Sequence, residues 1–423
     1  MLTAYATALS ALLGSHHLLI SIALSHSSFS HVMDKMSPNT IPAKDCLYQP
    51  LLASIIKIVG CIRTCVAYLC ILIVPCTGSA SSEVVLKSPV NVKMQMLEFG
   101  GRESSGVCKQ LPTLPHKVSS VAFYTDTKAS VIDPVLYQRF LELRKTVSDE
   151  EDYLATQNTR YIQANAAARV GIAKCLQSHL IKFAEDDAFT GSEDIRGGGA
   201  VRLMSITPLL TYLLVRNGNG IDPDVDEKIR AWIARLMELL LSLEKNYKYD
   251  NNIEDWTAAA FALGAVALNR RGLLDHAVTI AEKKSGMVDA DGFLPLELAR
   301  GRMSVEYNLS ALQALSIIIA VEEANGRDFL SEPVGVGLVR MMRRMVLTIK
   351  EPASFLQFTD TSEAIAKEHF DRQSMGWLEI YYRKTGDIDA LKAICEHKPL
   401  FSWRTGGDWF VLFGSPNQCS VGH

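Results

Sequence analysis

An all-α fold is predicted by three observations on the sequence. Apolar residues recur at helical spacing almost without interruption after residue 130, alternating β patterns are nearly absent there, and start and stop signals punctuate the periodic stretches. The chain has 423 residues, enough for a sizeable core arranged as one large domain or two ordinary ones. About ten helices with short connections are expected, an arrangement that favours antiparallel neighbours.

Taken in order, residues 1–35 are apolar, rich in Ser and His, and poor in charge. They read as an imperfect leader, or as an upstream extension if Met36 is the start. From Leu51 to Cys76, Lys57 and Arg63 precede an uncharged apolar core of 13 residues, Thr64 to Cys76, and small residues follow to Ser81. That order is the order of a secretory signal, with Ala80 at the cleavage edge. The core falls short of the roughly 20 residues of a membrane span. The expected location is therefore secreted or periplasmic, with anchoring through residues 51–76 as the alternative. Residues 1–80 are assigned to this leader, and residues 81–114, which carry turn formers and no sustained period, to a linker. Residues 115–423 form the helical domain.

Within that domain Ile132-Asp133-Pro134 leads into a helix near 134–146, and a longer one is expected from Glu150 to Phe183 with a break near Asn165. Val201 to Val215 ends at an Asn-Gly-Asn-Gly turn (217–220). The clearest helix starts with Asp222 as N-cap and Pro223 in the first turn. It runs to Leu243 with Ile229, Trp232, Ile233, Leu236, Leu239, Leu240 and Leu243 in one broad stripe. Trp256 to Asn269, Leu274 to Lys284, Glu297 to Glu323, Val336 to Ile349, Ser362 to Lys384 and Ile388 to Cys395 follow. No exact repeat is present.

The net charge of −3 is small, and no Lys/Arg block resembles a nucleic-acid arm. The most basic run, Val339 to Arg344, reads as a solvated helix face. Five of the nine cysteines fall between Cys46 and Cys76 at spacings that match no zinc pattern. Cys108, Cys175, Cys395 and Cys419 remain and allow at most two bridges. Pairing of Cys108 with a downstream cysteine would tie the linker to the body.

The residues that could carry chemistry lie between Asn251 and Tyr307. Arg300 and Tyr307, seven residues apart, would share a face if both stood on one α-helix. A fixed cation beside a phenol favours the phenolate, so the tyrosine is expected below its ordinary pKa of about 10. Asn251 and Asn252 precede a helix and suit capping, with Glu254 and Asp255 in its first turn. Asp289 and Asp291 fit an Asp-Gly turn, and Pro295 a first helical turn. Asn308-Leu309-Ser310 is a formal glycosylation sequon expected to stay unmodified within a helix.

Together these pieces are similar to a known family. Asn251-Asn252…Trp256, then Val288-Asp289-Ala290-Asp291-Gly292-Phe293-Leu294-Pro295…Glu297-Leu298…Arg300…Tyr307, resembles the mannuronate-type alginate lyases. Trp377-Leu378-Glu379…Tyr381 and Arg404-Thr405-Gly406-Gly407-Asp408…Leu412-Phe413-Gly414 agree in the same order. Weaker similarity reaches Phe123-Tyr124 and Asn158 to Phe189. The resemblance implies an incomplete (α/α) toroid whose cleft takes an acidic polysaccharide, a 4-O-linked uronate polymer, as a monomer and without nucleic acid. By position, Asn252 matches the asparagine that neutralises the substrate carboxylate, Arg300 the catalytic arginine and Tyr307 the catalytic tyrosine. Asn251 and Trp256 match substrate-binding positions, Trp256 as an aromatic lining the cleft.

Two positions depart from the pattern. The family's catalytic histidine falls on Ile253, and the segment Arg196-Gly197-Gly198-Gly199 replaces a glutamine-containing loop. The implied reaction is β-elimination, in which the C5 proton leaves, the C4 oxygen is expelled, and neither a metal nor an organic cofactor is required. An attenuated lyase is the expectation that Ile253 suggests; a non-catalytic binder of acidic glycans on the same fold is the alternative, and an unrelated helical scaffold a third reading.

Overall fold

The computed structural model describes residues 85–103, 108–192, 195–247 and 250–420. The expected leader, with its apolar run 51–76, lies outside them. Fourteen α-helices are present among the described residues. They are α1 (Val92–Phe99), α2 (Pro134–Gln163), α3 (Ala166–Glu185), α4 (Ile195–Met204), α5 (Ile206–Gly218), α6 (Pro223–Lys245) and α7 (Asn252–Leu268). After these come α8 (Arg271–Met287), α9 (Pro295–Leu298), α10 (Ser304–Ala324), α11 (Val336–Lys350), α12 (Trp377–Thr385), α13 (Ile388–His397) and α14 (Trp409–Phe413). Among the described residues strand structure is limited to two small pairs, Lys117–Val118 parallel to Gly191–Ser192 and Phe401–Ser402 antiparallel to Gly407–Asp408, and two isolated bridges, Arg102 with Ala164 and Tyr124 with Ile132.

The architecture is an incomplete (α/α) toroid, and its layering follows from composition. Helix α7 is apolar all round, Trp256 to Leu268 being buried without exception, as a helix enclosed by its neighbours must be. It packs against α5, α6, α8 and α10. Its small residues let those helices approach closely: a Cβ on Gly264 would run into Met237 Sδ of α6. Asn269, in the left-handed conformation, ends the helix. Helix α6 is instead two-faced, burying Ile229, Trp232, Ile233, Leu236, Met237 and Leu240 and turning its charged face outward.

Several boundaries follow the expected signals. Asn165 is an N-cap whose side chain accepts from Ala168 N, so the break falls there; Asp222 caps α6 with Pro223 in its first turn. Elsewhere the structure differs. The linker expected over 81–114 contains α1, and Leu86, Val90, Val92 and Leu114 are buried in the core. Residues 134–163 form one helix rather than two. The stretch 352–374 is a run of 3-10 turns, so the helix expected over Ser362 to Lys384 is reduced to Trp377–Thr385. In the basic run, Arg340 Nη1 and Arg344 Nε donate to the carbonyls of Asp289 and Asp291, so these arginines hold the Asp-Gly turn rather than standing free in solvent.

Two disulfides close the described chain. Cys108–Cys175 ties the segment before the domain to α3, and Cys395–Cys419 ties the C-terminal segment to α13.

Candidate active site

The carboxylate of Glu297 organises the site. Pro295 starts the single-turn helix α9, which leaves Glu297 buried and facing the N-terminus of α7. Its Oε1 accepts the Asn252 backbone N–H at 2.7 Å, and its Oε2 accepts Arg300 Nε at 3.3 Å. One buried anion therefore gathers the asparagine and the arginine into one place. Lys284, wholly buried, supports the same helix end from behind, donating to the Asn251 carbonyl at 3.1 Å and lying 3.1 Å from Glu254 and 3.3 Å from Asp255.

Arg300 and Tyr307 do meet, although not for the reason of shared helical spacing. Gly301 has φ +57° and opens a 3-10 turn, Gly301–Met303, so Arg300 lies outside α10, on which Tyr307 stands. The guanidinium instead folds back over the phenol ring, 4.8 Å from its centroid, while its Nη1 donates to Lys128 O at 3.1 Å. The Tyr307 hydroxyl is 2.5 Å from that of Tyr124. Burial pushes the Tyr307 phenol well above its ordinary value, Tyr124 adds to this, and Arg300 opposes it without prevailing. The expected lowering is thus reversed, because desolvation of a phenolate outweighs one neighbouring cation. Burial raises Tyr124 as well, to about 12.

Asn252, Ile253, Arg300 and Tyr307 all line one cleft of about 790 Å³. Asn252 is 3% exposed, and its Nδ2 has no hydrogen-bond partner among the described residues. A buried amide donor left open on a cleft wall is a group arranged for a ligand. Five arginines line the same cleft, Arg144, Arg196, Arg300, Arg302 and Arg404, against three acids, Glu306, Glu368 and Asp371. In a chain of net charge −3 this concentrates positive potential where a polyanion would lie.

The other two candidates sit elsewhere. Asn251 caps α7, its Oδ1 accepting from Ile253 N at 3.1 Å and from the Tyr247 hydroxyl at 2.9 Å, so its side chain serves the helix. Trp256 is fully buried behind the cleft wall; its indole donates to Ser310 Oγ at 3.0 Å, and Arg404 stacks 5.7 Å from its ring. It supports residues of the cleft instead of lining it. Asn308 is buried and bonded to Ser304 O and Leu294 N, which leaves the sequon inaccessible.

Sequence reasoning missed Glu297 as the bridge, Tyr124 as the partner of Tyr307, and His369. The last lines the cleft and bonds through Nδ1 to Glu306 Oε2 at 3.1 Å. Glu297 stood within the motif that carries the resemblance and Tyr124 within the weaker Phe123-Tyr124 similarity; an isolated histidine in a run of 3-10 turns offers no signal. One cluster of metal-ligand type occurs among the described residues, Cys108, Cys175 and His179, and its two sulfurs are joined in a disulfide, which removes them as thiolate ligands.

The chain is similar to known proteins. A model of the family described as alginate lyase matches residues 141–355, about half of the chain. An alginate lyase of Pseudomonas fluorescens is 26% identical over 353 residues, covering 81% of this chain and 94% of the relative. A polysaccharide lyase of Stenotrophomonas maltophilia is 25% identical over 329 residues, covering 77% and 96%. Among solved structures, alginate lyase A1-III from Sphingomonas species A1 superposes with a TM-score of 0.63 at 18% identity, over 80% of this chain and 100% of that one. A tetrasaccharide complex of a variant of A1-III gives 0.66, over 80% and 99%.

Proposed function

Since the chain belongs to the alginate lyase family, we propose that it is a polysaccharide lyase that cleaves alginate by β-elimination, at 4-O-linked mannuronate. The observation that carries this reading is the Glu297 bridge, which sets the open amide of Asn252 and the guanidinium of Arg300 on one cleft. A proton on C5 of a uronate is acidic only when the adjacent carboxylate is neutralised and the developing enolate is held by fixed donors. Asn252 Nδ2 and Arg300 are such donors, in a site where they need no reorganisation; losing one such group typically costs about 10²–10³ in rate.

Tyr307 acts as the acid. Its raised pKa keeps the phenol protonated at neutral pH, so it can deliver a proton to the departing C4 oxygen. Arg300, stacked on its ring, would steady the phenolate left behind. On this reading the phenol enters the reaction protonated and a separate group takes the C5 proton. Ile253 has no group for that task. It is also the observation that favours a second reading, a binder of acidic glycans that no longer turns over.

Incubation with polymannuronate, followed by ultraviolet absorbance of the C4–C5 unsaturated product, separates the two. Accumulating absorbance is expected; binding of the polymer with none would leave the second reading. We also infer export, secreted or periplasmic, from the signal-like order of residues 51–81 and the two disulfides, which suit an oxidising compartment. Membrane anchoring through residues 51–76 is the alternative, and the N-terminal residue of the mature protein, expected close to Ser81, distinguishes them.

A further inference from the structure

The geometry points to His369 as the base that takes the C5 proton, in place of the missing side chain at Ile253. This rests on the lyase reading and adds to it the half of the acid–base pair that Tyr307, as the acid, does not supply. His369 lies in the 3-10 turn Lys367–Phe370, which packs on α10, the helix that carries Glu306 and Tyr307 in succession. It lines the same cleft as Asn252, Arg300 and Tyr307 and is 4% exposed. Its Nδ1 is 3.1 Å from Glu306 Oε2. A carboxylate accepting from Nδ1–H fixes the imidazole in the tautomer whose Nε2 carries a free lone pair, and it stabilises the imidazolium that forms when that nitrogen takes a proton.

Two other histidines show what a purely structural role looks like in this fold. His179 is also buried and also bonds a carboxylate through Nδ1, Glu150 at 2.6 Å. Its Nε2, however, is committed to the Lys109 carbonyl at 2.9 Å. His276 spends its Nε2 on Glu244, at 2.7 Å. His369 Nε2 has no hydrogen-bond partner among the described residues, and its ring borders the cleft. Arg302, Glu368 and Asp371 line the cleft beside it, and Arg302 is already paired with Glu363 at 3.3 Å. None of these is suited to replace it, since a guanidinium does not give up its proton and exposed carboxylates are weak bases.

The step balances without any further reactant. The C5–H bond breaks, its proton passes to His369 Nε2, and its electron pair forms the C4–C5 double bond. The C4–O bond breaks and the leaving oxygen takes the Tyr307 hydroxyl proton. The imidazolium then returns its proton through solvent to the Tyr307 phenolate.

The test uses the full chain and polymannuronate, with the unsaturated product read by absorbance. His369→Ala is expected to lower kcat by about 10²–10⁴ with KM little changed, and added imidazole should restore part of the loss. His369→Gln, whose amide can still bond Glu306, should be equally slow while melting like the wild type; it carries the test alone if the alanine variant does not fold. An active wild type whose His369→Ala variant keeps its kcat overturns the inference and leaves the lyase reading intact. So does recovery of kcat by His369→Gln, which would make the role structural. A wild type that forms no unsaturated product overturns the lyase reading itself, and this inference with it.

Discussion

The cleft is lined by two kinds of structure. One part comes from helix ends, where Asn252, Arg300 and Tyr307 are held by buried partners: the Glu297 carboxylate, the Lys284 ammonium and the packed body of α10. The other comes from irregular chain, Phe123 to Ile132 with Tyr124, and the 3-10 turns from Pro352 to Ser374 with His369. On the proposed lyase reading, the helical part carries the groups that neutralise charge and donate a proton. The irregular part supplies the hydroxyl that meets Tyr307 and the imidazole assigned to proton removal. The difference teaches that charge stabilisation, which requires fixed donors, is built on rigid elements, whereas groups that exchange protons with substrate can come from turns.

The largest effect that could break this division is expected at Tyr307. Tyr307→Phe removes one hydroxyl and should lower kcat by about 10²–10⁴. The only stability cost is the lost bond to Tyr124, about 1 kcal/mol. Initial rates on polymannuronate and a thermal melt check both parts. If turnover survives, the acid does not reside on the helical part, and the two-part description fails.

Glu297→Gln comes next. The amide can accept from only one of the two groups that the carboxylate holds, so Asn252 and Arg300 should lose their fixed relation. A loss of about 10–10² in kcat/KM is expected, since small displacements at a reacting centre cost that much. An unchanged kcat/KM would show that each donor is positioned independently of the bridge.

How much of this was legible in the sequence divides along the same line. Asn252, Arg300 and Tyr307 were legible because the motif around them resembles the mannuronate-type alginate lyases; the local signals, a capping asparagine, Pro295 at a first turn and the Asp289-Gly292 turn, placed only the helix ends at which they sit. Even there the reasoning was partly wrong. Spacing placed Arg300 on the helix of Tyr307, but Gly301 breaks that helix, and the two side chains meet by stacking. The direction of the Tyr307 shift was misjudged because a sequence shows a neighbouring cation and does not show burial. Trp256 looked like a cleft aromatic, yet residues from Ser310 and Arg404 lie against it and enclose it. His369 left no trace at all. Its partner Glu306 is 63 residues away, and the 3-10 turns that bring it back have no hydrophobic period to announce them.

The smallest effect sharpens the comparison by testing its physics away from the cleft. The desolvation that keeps Tyr307 protonated also acts on Glu379 of α12, 1% exposed, where no substrate is involved. Burial pushes this carboxyl up to about 8 from an ordinary 4.5, although Gln418 Nε2 donates to both of its oxygens, at 3.0 and 3.1 Å. A carboxyl whose folded pKa is raised binds its proton more tightly in the native state. Its stabilising contribution is therefore fully present below about pH 4.5 and is lost as pH rises through about 8. Glu379→Gln keeps the shape and cannot ionise, so the melting temperature of the wild type should fall relative to the variant across that window, by several degrees in order of magnitude. Asp255 and Glu151, raised to about 7 by the same burial, shift both proteins alike and cancel in the difference. A difference that stays flat from pH 4.5 to 8 would mean that this interior tolerates a bare carboxylate. The case for a protonated Tyr307, which rests on the same cost of burying charge, would then weaken with it.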